Sequence, residues 1–182
     1  MKSFLFLLSS ARQKGNTETL ARRAAQQLPA ETAQQWLHLM DLPLAPFEDI
    51  RHSGGVYPQP EGHEKVLFDA TLAATDIVLA SPLYWYNMSA SAKQYFDYWS
   101  AWLRVPNAEF RARMAGKTLW LVCSCSDEDP ESMTGPLVKT MELTAAYMDM
   151  HWGGALLGYG NRPGDVMNYP TNVEKADAFL KD

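Results

Sequence analysis

The residues best suited to chemistry lie near the amino terminus, in Ser9-Ser10-Ala11-Arg12-Gln13-Lys14-Gly15-Asn16-Thr17. An apolar run, Phe4-Leu5-Phe6-Leu7-Leu8, precedes them and reads as a buried parallel strand. A good helix former, Glu18-Thr19-Leu20-Ala21-Arg22-Arg23-Ala24-Ala25, follows them. Strand, small polar loop and helix start together make an anion site, because the first helical turn carries free N–H groups and a partial positive charge. Ser9, Ser10, Asn16 and Thr17 add hydroxyl and amide donors, and Gly15 is expected to permit a tight turn. A phosphate monoester is the ligand these residues suit. The stretch lacks G-x-x-x-x-G-K-[ST] and G-x-G-x-x-G, so it is neither a P-loop nor a dinucleotide fingerprint. Serines stand where a cysteine-type phosphatase would need its nucleophile. The plainer alternative is a capped helix start with no ligand.

A second stretch, Ser81-Pro82-Leu83-Tyr84-Trp85-Tyr86-Asn87-Met88, follows the apolar run Asp76-Ile77-Val78-Leu79-Ala80. Its aromatic side chains and its backbone can lie along the edge of a flat ring. The alternative for Tyr84, Trp85 and Tyr86 is packing in a core or an interface. A third stretch, Ser124-Cys125-Ser126-Asp127, can present backbone N–H groups to the same ring. A phosphate and a planar ring in one ligand point to flavin mononucleotide, FMN, whose reduced form such donors stabilise.

These three loops need a scaffold that brings them together. Helices are expected from residue 16 to Pro29, over 61–74, from Ser89 or Ser91 to about 103, over 137–150 and over 173–181. Strands are expected at 4–8, 32–39, 76–80, 117–123 and 154–157. The resulting βαβαβαβαβα order implies one α/β domain spanning residues 1–182, a parallel sheet with helices on both faces. With strand order 2-1-3-4-5, the loops after the first and third strands flank the switch point where ligands bind. Residues 41–60, with Pro43, Pro46, Gly54, Gly55, Pro58 and Pro60, form a long loop of the kind that often makes a binding surface.

Composition narrows the function. The 182 residues suit one domain with a full core, and 47% are hydrophobic. A formal net charge of −5 argues against nucleic acid as a partner. No stretch reaches the length of a membrane span, no cleavable signal is evident, and two cysteines cannot form a disulfide framework. A cytoplasmic setting is expected. Cys123 and Cys125, spaced C-x-C without further cysteines, argue against a metal site. Cys123 is expected in the core and Cys125 near the ring. His52, His63 and His151 read as solvated surface residues. Tyr95, Trp99 and Trp102 share one helical face, which suits either core packing or a dimer interface.

Taken together, Ser9-x-x-Arg12-x-x-Gly15-Asn16-Thr17, Ser81-Pro82-Leu83-Tyr84-Trp85-Tyr86-Asn87-Met88-Ser89 and Lys93-x-x-Phe96-Asp97 resemble the NAD(P)H-dependent FMN reductase and quinone oxidoreductase group of the flavodoxin-like fold. That resemblance implies a flavodoxin-like three-layer sandwich. It implies FMN as cofactor and NADPH or NADH as co-substrate, with ping-pong hydride transfer to a quinone, nitro or azo compound, or flavin. It assigns the FMN phosphate to Ser9, Arg12, Asn16 and Thr17, and the ring to Pro82, Leu83, Tyr84, Trp85, Ser124 and its neighbours. A homodimer whose second subunit helps to wall the substrate pocket is expected. The family's helical motif usually ends Asp-Arg, whereas Tyr98 follows Asp97 here. An FMN electron carrier serving protein partners is the rival reading, though such carriers are commonly more strongly acidic.

Overall fold

A computed structural model describes residues 2–53 and 55–181; Gly54 of the long loop and the two terminal residues of the expected domain lie outside the described residues. Five parallel strands form one sheet in the order β2-β1-β3-β4-β5. They are β1 (Ser3–Leu8), β2 (Ala33–His38), β3 (Asp76–Pro82), β4 (Thr118–Cys125) and β5 (His151–Tyr159). The helices are α1 (Asn16–Ala25), α2 (Gly62–Ala73), α3 (Ala90–Trp102), α4 (Phe110–Met114), α5 (Pro130–Tyr147) and α6 (Pro170–Phe179). A single 3-10 turn, Asp165–Asn168, precedes α6.

Alternation along the strands builds the two apolar layers. Leu5, Leu7, Ile77, Leu79, Leu119 and Leu121 face α2, α3, α4 and α5. Phe4, Phe6, Val78, Ala80 and Val122 face α1 and α6. Strands buried on both faces read as continuous apolar runs, which is why β1 and β3 stand out in the sequence. The Tyr95, Trp99 and Trp102 stripe is core: all three are buried, Tyr95 meets both tryptophans edge to face, and each tryptophan meets Phe110 edge to face. Trp99 is therefore not available as a dimer contact. Cys123 is fully buried, as expected, and burial pushes its thiol well above its ordinary pKa.

Three elements depart from expectation. Helix α5 begins at Pro130, not at 137, because Asp129 caps it by accepting from the Ser132 N–H at 3.2 Å and Pro130 fits the first position. Pro136 is absorbed inside the helix. Strand β5 starts at His151 because Gly153 and Gly154 form a bulge and not a break, and a Cβ on Gly153 would lie 2.3 Å from the Trp120 ring. Helix α4 has no sequence signal beyond Phe110 and Met114, both buried. The 41–60 loop is pinned to α3, with Gln94 Nε2 donating to the Leu44 and Ala45 carbonyls. The hydroxyl of Tyr98, the residue that departs from the Asp-Arg pattern, also donates to the Ala45 carbonyl at 3.0 Å.

Candidate functional site

The carboxyl ends of β1, β3 and β4 converge on a cavity of about 220 Å³. Ser10, Arg12, Gly15, Asn16 and Thr17 line it from the first loop, Pro82, Leu83 and Tyr84 from the third strand's end, and Ser124 and Cys125 from the fourth. Ten of the twelve expected site residues thus share one cavity; Ser9 and Trp85 do not line it.

Helix α1 opens this site with its N–H groups uncovered. Its N-cap is Gly15, which has no side chain to accept from them. The carbonyl of Gly15 takes the Thr19 N–H at 3.0 Å, which leaves the first-turn amides of Asn16, Thr17 and Glu18 without a carbonyl inside the helix. Gly15 itself is extended, at φ −76°, so left-handed freedom is not what the position needs; the left-handed residue is Lys14, at φ 55°. The Lys14 N–H donates to Glu18 Oε2 at 2.7 Å, and Arg22 Nε donates to Glu18 Oε1 at 2.8 Å. Burial alone would raise the Glu18 carboxyl; the Lys14 amide and the Arg22 guanidinium outweigh it and hold the group below its ordinary range.

Most side chains of this loop are already engaged. Asn16 Nδ2 donates to the carbonyls of Gly160 and Arg162, both at 2.9 Å, while its Oδ1 accepts from the Gly164 N–H at 2.8 Å. Both amide hydrogens are spent, so its backbone N–H is what Asn16 has left for an anion. Thr17 Oγ1 and Ser124 Oγ lie 2.5 Å apart and buried; one donates to the other, leaving a single hydroxyl hydrogen between them. Ser9 sits behind the loop, its hydroxyl donating to the Ala80 carbonyl at 3.2 Å while its own carbonyl accepts from Ser91 Oγ. Ser10 Oγ accepts from the Arg12 N–H at 3.1 Å. Arg12 is exposed along the cavity and is its one charged residue among those described.

The segment after β5 supplies a wall that the sequence did not assign: Gly160, Asn161 and Pro163. Gly160 is required there, since a Cβ would come within 2.8 Å of Asn16 Nδ2 and of the Val166 nitrogen. The signal available in the sequence was the paired Gly158 and Gly160 around Tyr159, which permits this close approach.

The aromatic stretch is a tight hairpin. Tyr84 and Asn87 exchange both backbone hydrogen bonds, at 2.9 and 3.0 Å, across Trp85 (φ 49°) and Tyr86 (φ 62°). Two consecutive left-handed residues make a type I′ turn, which favours Asn-Gly; bulky residues there cost about 1–3 kcal/mol each. Trp85 is 94% exposed and Tyr86 56%, so neither is core. They border a second cavity of about 270 Å³, which shares Leu83, Cys125 and Ser126 with the first. Burial raises the Cys125 thiol above its ordinary pKa, so it remains a thiol at neutral pH. His52, His63 and His151 are exposed on the surface, away from both cavities. No cluster of metal-ligating side chains occurs among the described residues.

Known proteins share this fold. The flavodoxin-like fold family matches residues 2–180. A Bacillus subtilis (strain 168) protein, YwqN, which carries the provisional name NAD(P)H-dependent FMN-containing oxidoreductase, is 33% identical over 172 residues, covering 93% of this chain and 92% of its own. The solved Trp repressor binding protein of Bacillus subtilis is 26% identical with a TM-score of 0.77, over 99% of this chain and 98% of that one. An NAD(P)H:quinone oxidoreductase from Methanothermobacter marburgensis shares the fold at 15% identity and a TM-score of 0.70, over 96% of this chain and 92% of that one. By sequence and by architecture, the chain belongs to the flavodoxin-like fold family.

Proposed function

We propose that the chain is an FMN-dependent NAD(P)H oxidoreductase reducing a small planar acceptor: a quinone, a nitro or azo compound, or a free flavin. One observation carries the reading. The uncapped first turn of α1 and Arg12 open onto the same cavity as the apolar edge Pro82-Leu83-Tyr84. The donor set suits a phosphate dianion, with amides and a helix dipole at one end and a guanidinium beside them. The YwqN relative named for FMN and NAD(P)H supports the assignment.

Bound FMN would supply a ring that takes up and gives back a hydride. The chain's own part is to hold and orient. First-turn amides and Arg12 fix the phosphate. Pro82, Leu83 and Tyr84 hold one ring edge, and the backbone at Ser124, Cys125 and Ser126 reaches the polar end. No side chain is needed as a general acid or base. The adjoining cavity beside Trp85 receives the nicotinamide and then the acceptor in turn, which is a ping-pong order. The working form is proposed as a cytoplasmic homodimer. Its apolar contact then comes from exposed Leu143 and Tyr147 on α5, not from the buried stripe of α3.

The test is the visible spectrum of purified protein, followed by NADH and NADPH oxidation with a quinone. Flavin absorption and parallel lines in double-reciprocal plots are expected. A colourless protein that neither takes up FMN nor consumes a nicotinamide would contradict the reading.

A further inference from the structure

The second cavity is lined by aromatic and sulfur-bearing side chains, Trp85, Tyr86, Cys125 and Met133, together with Leu83. Such a lining suits a flat π-system. Its charge is one-sided. Asp127 is the single charged residue lining it among those described, and it is exposed. The chain continues Glu128-Asp129-Pro130-Glu131 immediately beyond. Of these carboxylates only Glu131 has a cationic partner among the described residues, Lys175. Asp127 Oδ1 accepts from the Asp129 N–H at 2.9 Å, which fixes the carboxylate in an Asx turn beside the cavity. The guanidinium of Arg12 belongs to the neighbouring cavity and does not line this one.

We infer that this cavity is an acceptor subsite selective by charge: it takes neutral or cationic planar aromatics and rejects anionic ones, with Asp127 as the specificity-determining residue. The inference rests on the proposed oxidoreductase reading for its turnover, but not for its binding order. A sulfonate or carboxylate on the acceptor meets Asp127 across a few ångströms with no cation to offset it. Like-charge juxtaposition of this kind chiefly sets specificity, and salt screens it.

The experiment uses FMN-treated full-length protein and three naphthoquinones that differ only at the end of one short alkyl arm, hydroxyl, sulfonate or trimethylammonium. Binding is read by calorimetry and turnover by nicotinamide oxidation. At low salt the sulfonate is expected to be worse by about tenfold in Kd and in kcat/KM, the cation at least as good as the hydroxyl, and the gap to shrink at high salt. Asp127→Asn keeps the acceptor for the Asp129 N–H while removing the charge, and should bring the neutral-to-sulfonate ratio close to one. Equal binding of all three quinones, or an unchanged ratio in Asp127→Asn, overturns the inference. If no quinone is turned over yet the binding order holds, the oxidoreductase reading fails and the subsite stands.

Discussion

The two ends of the site are built in opposite ways. At the α1 end nearly every side chain is engaged: Asn16 straps the first loop to the segment after β5, Thr17 pairs with Ser124, and Glu18 holds Lys14 and Arg22. At the hairpin end Trp85 and Tyr86 sit in left-handed conformations and point their rings into solvent. One end is a rigid socket whose backbone amides remain for a ligand. The other holds strained side chains with nothing of their own to bind. A fixed cofactor calls for the first design and an exchanging substrate for the second. Strain that persists at a surface hairpin is what a binding function would retain.

Breaking the strap should cost the most. Asn16→Asp sets a carboxylate against the carbonyls of Gly160 and Arg162, which lose their donors; apoprotein stability should fall by about 2–4 kcal/mol in urea denaturation. A loss below about 1 kcal/mol would mean that the strap is idle. Gly160→Ala forces a Cβ against Asn16 Nδ2 and the Val166 nitrogen, and should cost about 1–3 kcal/mol in the same assay, with weakened FMN binding.

The hairpin should answer with the opposite sign. Replacing Trp85 by Asn and Tyr86 by Gly supplies the residues a type I′ turn prefers, and should stabilise the protein by about 1–2 kcal/mol while lowering quinone kcat/KM. Lower stability together with unchanged kinetics would make the aromatics structural. The smallest effect is on pH. The Glu18 pKa is depressed in the folded state, so its contribution is present above the unfolded value and is lost as pH falls through the lowered folded one. Glu18→Gln should flatten the acid limb of the stability profile below about pH 4.5, measured by denaturant titration at several pH values.

The doubly buried strands made the sheet legible, since runs such as Phe4–Leu8 and Ile77–Ala80 admit few other readings. Three of the four loops that line the cavity were legible by their residue types. Local breakers misled where a cap or a packing partner overrode them, as Asp129 does for Pro136 and Trp120 for Gly153. The wall at Gly160 was hidden for another reason. Asn16 and Gly160 lie 144 positions apart, so their bond follows from the completed sheet, and the Gly158 and Gly160 pair marks a close approach without naming its partner.

The central claim is that the uncapped start of α1 holds a phosphate. Titrating apoprotein with FMN and with riboflavin, which lacks the phosphate, tests it directly. Charge-assisted hydrogen bonds from the amides of α1 and from Arg12 should make FMN bind at least about a hundredfold more tightly than riboflavin, with the gap narrowed in Arg12→Gln. Equal affinities for the two ligands would place the phosphate elsewhere and contradict the account.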